Sequence, residues 1–261
     1  MAILNKNLSF SGKSLIAIGF FLFFSGTPLV LAETTTPLDC RFKTELANLS
    51  SIQNDSSLDY LQKIKAELAL RQKILGKVLD CAVQEAEVLK TRLEETNVKD
   101  AEVTAAKLKL NIEIDQVILL YKNRAKTVKD LGIYGSKSLA GQLSEWRLFN
   151  YNDLVSRVAN IISWNNSQGA IDLVEKRLDN IKKAFIDLKV VDPSLEKIMQ
   201  TAEDNLKKAE DMNELARRAI VNSYQVDQQL VMIRDSLEAI AGVYKNFFEV
   251  SDILTASSTT K

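Results

Sequence analysis

Residues 171–188 read IDLVEKRLDNIKKAFIDL. Ile171, Val174, Leu178, Ile181, Phe185 and Leu188 recur at intervals of three and four, with charged residues between them. That spacing gathers the apolar side chains into one stripe of an α-helix, where a strand would require alternation. The segment predicts a helix over 169–189, and the same pattern extends outward in both directions.

Towards the C-terminus, Asp192-Pro193 supplies a capping residue followed by proline at the first helical position. A helix is expected from 193 to about 253. Its early contacts are small (Ala202, Leu206, Ala209, Ala216) and its later ones large (Leu230, Ile233, Leu237, Ile240). Unbroken, it would be about 90 Å long at 1.5 Å per residue, with Asn222-Ser223 the place for a bend. Residues 255–261 (TASSTTK) read as a disordered tail.

Towards the N-terminus, Asn165 to Gly169 (NNSQG) reads as a break. Before it, a helix over 138–165 is apolar around most of its circumference, which predicts a central position. Residues 132–138 read as a loop, with Gly132 as the C-terminal cap of a helix over 99–131. That helix carries Val103, Leu110 and Val117 at spacings of seven and Asp100 as its N-cap. A helix over 58–96 carries Leu61, Leu68, Leu75, Ala82 and Leu89 at the same spacing, with Ile64 and Val78 beside them and Arg71 and Glu85 interrupting the second seam. Ser56 and Asp59 resemble a capping box at its start. The short connection near residue 97 predicts that these two helices pair antiparallel. A shorter helix is expected over 39–50, followed by a polar loop to Ser57. Residues 58–254 thus form the bundle and 33–57 a tether with a short helix. The expected fold is all-α, an elongated antiparallel helical bundle with coiled-coil-like long helices. The helices share a pattern without repeating residue for residue.

Glycine and proline agree with this reading. Three of nine glycines and two of three prolines lie in the first 37 residues, leaving six glycines and Pro193 beyond. A chain so poor in turn formers can run as helix for long stretches.

Residues 1–32 read as a signal peptide. Lys6 and Lys13 precede the apolar run LIAIGFFLFF (15–24), and Val30-Leu31-Ala32 places small residues before a cleavage site at Glu33. The alternative is an uncleaved anchor, since 14–32 is just long enough to span a bilayer. Either reading places the mature chain outside the cytoplasm, as a secreted, periplasmic or cell-surface protein. Cys40 and Cys81 are its only cysteines, and in an oxidising compartment they predict a disulfide. An intramolecular bridge has a geometric demand. Cys81 lies about 35 Å along a helix that begins near 58, and helix alone over 40–57 reaches only about 26 Å. Part of that segment must be extended, or the first helix must bend. An intermolecular bridge is the other option.

Composition narrows the function. Hydrophobic residues make up 46% and charged residues 26%, enough for a sizeable core. Basic and acidic residues cancel at 34 each, and removal of residues 1–32 leaves 32 against 34, a net charge of −2. No basic stripe marks a nucleic-acid binder. Histidine is absent, so neither a Ser-His-Asp arrangement nor a Glu-x-x-His di-iron site can form. The acidic pairs Glu94-Glu95, Glu203-Asp204 and Glu210-Asp211 point in different directions on a helix and read as solvated faces. Gly132-x-x-Gly135 lacks the lysine and spacing of a phosphate loop. Asn48, Asn54 and Asn165 stand in glycosylation-like triplets, taken as chance matches. No cofactor or metal is expected.

The most distinctive stretch is Glu145-Trp146-Arg147-Leu148-Phe149-Asn150-Tyr151. Trp146, Arg147, Phe149, Tyr151 and the nearby Trp164 form a possible partner-binding set, because such residues dominate interface hot spots. The competing reading is a plug where helices meet. The functional expectation is a non-enzymatic structural or interaction protein, a scaffold, spacer or adaptor presenting helix faces to protein partners or to copies of itself. The alternatives are a binding or chaperone-like module built on the aromatic helix, and a membrane-surface protein. Contact with a membrane otherwise requires the N-terminal apolar segment to remain uncleaved.

Overall fold

The computed structural model describes residue 40, residues 42–187 and residues 192–259, with side chains through residue 255. All belong to one compact unit that begins at Cys40. The signal peptide, residues 33–39 and residues 188–191, where the helix expected over 169–189 ends, lie outside the described residues. The described chain is an all-α bundle, with no strand among those residues. Its helices are α1 (Lys43–Asn54), α2 (Tyr60–Glu95), α3 (Ala101–Thr127), α4 (Ile133–Trp146), α5 (Asn152–Asp187), α6 (Pro193–Val221) and α7 (Val226–Thr259).

Local chemistry sets the boundaries. The Asp59 carboxylate accepts from the Gln62 N–H while the Gln62 side chain accepts from the Asp59 N–H. The capping box therefore lies three residues later than the Ser56–Asp59 pair predicts. Asp100 caps α3 through the Val103 N–H, and Asp192 caps α6 through the Ser194 N–H, both as expected. The seam of α2 consists of Leu75, Leu79, Ala82, Ala86 and Leu93. Its second row starts at Leu79 and not at Val78, so Glu85 falls on the surface and interrupts nothing.

Gly132 corrects the expected loop. It does not cap α3 in a left-handed conformation; it is extended and precedes α4, which begins at Ile133. The end of α3 tightens into a short turn (Val128–Asp130), and the Gln72 side chain donates to the Lys129 and Leu131 carbonyls that follow. A distant side chain thus satisfies groups that a glycine cap would otherwise serve. Gly135 stands at close quarters, since a Cβ there would meet the Leu131 side chain at 3.2 Å.

The expected break at Asn165–Gly169 is absent, and α5 runs through it. Ser167 is buried and shares a 3.1 Å hydrogen bond with Ser236, and Gln168 accepts from the Asn213 side chain. Asn160 donates to Gln229 and to the Val226 carbonyl. These polar residues are seam residues with partners on other helices.

The single helix expected over 193–253 is two. Ser223 adopts φ 53°, with its N–H donating to the Ile220 carbonyl and the Tyr224 N–H donating to that of Ala219. This is a Schellman ending with serine where glycine is usual. The chain reverses there, and α6 and α7 pair antiparallel, Gly242 lying against Asn205 and Ser236 bonding the Ala209 carbonyl. α7 then runs to Thr259, into the segment expected to be a disordered tail.

Two apolar clusters fill the bundle. One joins α2, α3, α4 and the first half of α5 to the α6–α7 corner; the other joins the rest of α5 to α6 and α7. Leu237 packs against both. Ion pairs tie α2 to α3 at Lys90–Asp115 and Lys122–Glu87, in the antiparallel order expected.

Cys40 and Cys81 are bonded within the chain, with Cα atoms 6.0 Å apart. Asp55 and Asp59 are extended on either side of a turn at 56–58, and α1 lies back along α2 with Glu45 paired to Lys77 and Gln53 donating to Glu67.

Candidate functional site

α1 and α4 both pack on α2, and between them they leave a groove of about 410 Å³. Its floor is the α2 stripe of Ile74, Leu75, Val78, Leu79 and Ala82. Leu46 and Leu49 of α1 form one wall; Ala140 and Leu143 of α4 form the other. Arg71, Lys137 and Arg147 are the charged residues that line it, all cationic.

One end of the groove is aromatic. The Tyr121 ring, 2% exposed, meets Trp146 edge-on at 5.7 Å and Tyr151 at 6.2 Å. The Arg147 guanidinium lies 4.8 Å above the Tyr151 ring, and its Nη2 donates to both Glu85 carboxylate oxygens. The helix widens over Arg147–Tyr151 into a π-turn. Such a turn re-aims side chains within a continuous helix. Here Tyr151 points into the core and Arg147 towards the groove.

Neither the Tyr121 nor the Tyr151 hydroxyl has a hydrogen-bond partner. Burial pushes both phenols up from their ordinary value, and for Tyr121 the neighbouring Arg147 charge opposes that rise. Both are neutral near pH 7, and the Tyr121 hydroxyl can donate. Burial works against the Arg147 charge, but the Glu85 carboxylate outweighs it and raises its pKa.

No protein-family model, curated protein or solved structure matches this chain.

The five residues of the predicted partner-binding set are separated by the fold. Trp164 is buried, and its Nε1 donates to the Asn213 carbonyl at 3.0 Å. Tyr151 is also buried. Both are core residues. Trp146 is half-buried against Tyr121, and Arg147 lines the groove. Phe149 is 69% exposed beside the exposed Leu148. Sequence reasoning missed Tyr121 and Glu85. Tyr121 stands four residues after Val117, a polar-tipped ring at a seam position, and that signal was available.

A second polar cluster joins α3 to α6. Arg217 pairs with Glu214, Glu102 and Asp100, and Arg218 also reaches Glu214. The hydrogen bonds from Arg217 and Arg218 hold the Glu214 carboxyl down at about 2. Every charged member has a partner, as in a structural clamp. Among the described residues no group of three or more acidic or sulfur side chains could hold a metal ion, and no helix is long and apolar enough to cross a membrane.

Proposed function

We propose that this chain is an exported, non-enzymatic interaction protein that presents helix faces to protein partners or to a second copy of itself. The observation that carries this reading is a stripe on α3. Leu108, Ile112 and Leu119 are 59%, 59% and 58% exposed and fall within one narrow arc of the helix. Three large aliphatic side chains aligned on a solvent face favour contact with another apolar surface. The intramolecular disulfide fits an oxidising compartment. Cleavage before Glu33 remains the reading of the N-terminus, and sequencing the exported chain tests it.

Light scattering coupled to gel filtration, on the mature chain and on Ile112→Glu, tests the main reading. The expected result is an assembly that Ile112→Glu dissolves while circular dichroism stays unchanged. A monomer for both sequences removes the α3 stripe from the reading. Turnover of a defined small substrate by the purified chain overturns it.

A second reading, a binding module built around the aromatic end of the third predicted helix, is favoured by the groove, where Tyr121, backed by Trp146, and Arg147 meet an apolar floor.

A further inference from the structure

We propose that the groove between α1, α2 and α4 binds a free fatty acid, with its carboxylate held by Arg147 and the Tyr121 hydroxyl and its chain laid along Leu75, Val78, Leu79 and Leu143. The proposal rests on the binding-module reading above and names the ligand.

Three observations converge. The volume of about 410 Å³ falls within the usual 300–1,000 Å³ of small-molecule sites, which combine apolar walls with a few placed polar groups. The length suits a single chain, since the floor helix rises about 17 Å from Arg71 to Ala82 at 1.5 Å per residue. The third observation concerns the aromatic end. The Tyr121 O–H is buried with no acceptor; the polar group it faces is the Arg147 guanidinium, which can only donate. A buried donor left unpaired is costly, and an acceptor placed in the groove removes that cost.

The chemistry of that end selects a carboxylate. The acceptor must lie beside a guanidinium that cannot lose its proton. Glu85 takes Nη2 of Arg147, and the guanidinium also faces the Tyr121 hydroxyl. One guanidinium N–H and one phenol O–H, side by side, match the two oxygens of a carboxylate. Arg71, at the other end, has its Nε on Glu67 at 2.6 Å and no orphaned hydroxyl beside it. The head of the ligand therefore belongs at Arg147. A neutral amphiphile could fill the same floor, but it would leave the guanidinium edge unpaired.

The test is isothermal titration calorimetry of the mature, disulfide-bonded chain with dodecanoate and with 1-dodecanol, below their aggregation concentrations. Dodecanoate is expected to bind at least tenfold more tightly than the alcohol. Tyr121→Phe, which removes only the unpartnered hydroxyl, is expected to weaken dodecanoate about tenfold, the loss of one hydrogen bond to a charged group, and to leave dodecanol unchanged. Arg147→Met should do the same more strongly. Ala140→Trp, an exposed wall position, should block both ligands while helicity is retained. Equal binding of acid and alcohol, or Tyr121→Phe and Arg147→Met proteins that both bind dodecanoate like the wild type, overturns the carboxylate assignment and leaves the groove reading standing. Binding of neither ligand overturns both.

Discussion

Replacing Cys40 and Cys81 together with serine tests how α1 is held. The bridge joins residues 41 positions apart, and in the chain-entropy model a closed loop of that length constrains the unfolded chain by about 4 kcal/mol. That figure is a ceiling here, because α1 contributes no buried residue and Leu46 is 55% exposed. Its other ties to α2 are the part-buried Glu45–Lys77 pair, the Gln53–Glu67 hydrogen bond and the groove wall of Leu46 and Leu49. Without the bridge α1 can leave α2 while the rest of the bundle stays folded, so the native ensemble recovers some of the freedom that the unfolded chain gains. The expected loss is about 2–4 kcal/mol, read from the guanidinium midpoint by circular dichroism. Hydrogen exchange should show α1 amides close to unprotected in the variant, while those of α6 and α7 still open only with the whole molecule. An unchanged midpoint, or an α1 as protected as in the bridged protein, refutes the reasoning.

Further expectations concern the core, the corner and the acid limit. Trp164→Ala should cost about 3–5 kcal/mol by chemical denaturation, because a buried, hydrogen-bonded indole is lost. Trp146→Ala should cost clearly less, since that ring is only half-buried; equal costs would show that both are core residues. Ser223→Gly should stabilise by about 0.5–1 kcal/mol, relieving the strain of φ 53° at some cost in unfolded-chain entropy, and a lower melting temperature would contradict the Schellman assignment. The Glu214 carboxyl is held at about 2 against an ordinary 4.5. Its depressed folded value means that the clamp's stabilisation is present above pH 4.5 and lost as pH falls towards 2. Because the Glu214 side chain is 41% exposed, solvent screening keeps that loss below about 1 kcal/mol. Glu214→Gln should flatten stability over this interval, and parallel acid curves for the two proteins would show that the clamp contributes nothing.

The helical nature of the chain was legible because seam residues repeat at spacings that only a helix can use. The cysteine pairing was legible because two cysteines have one intramolecular solution. The misread places share one cause. Asn165–Gly169 has the composition of a break, and what keeps it helical is a set of partners (Ser236 and Asn213) that lie 45 to 69 residues away. Gly132 has the composition of a cap, and the groups it would serve are taken by Gln72. Ser223 shows the reverse. Its turn is coded by backbone hydrogen bonds in a segment with neither glycine nor proline, so apolar spacing ran through it unbroken. Local composition measures what a segment prefers alone, and in each case a partner on another helix decides the outcome.

The same rule separates the groove from the rest of the bundle. A polar side chain at a seam position has three fates: it breaks the helix, it bonds another helix, or it faces a space where something else can bond it. Asn160, Ser167, Gln229 and Ser236 take the second, and their hydrogen bonds fix the register of α5 against α7 at an offset of 69 residues in both pairs. That register cannot slip without stranding a buried polar atom, which is how a polar seam specifies one packing among several apolar ones. Tyr121 occupies a seam position on α3 and takes no such partner. Its ring serves the core while its hydroxyl is left over, beside the Arg147 guanidinium at the aromatic end of the groove. Packing alone would be satisfied as well by phenylalanine there. Of the two orphaned phenols, Tyr121 is the one that lines the groove, and a ligand there is what would use its hydroxyl.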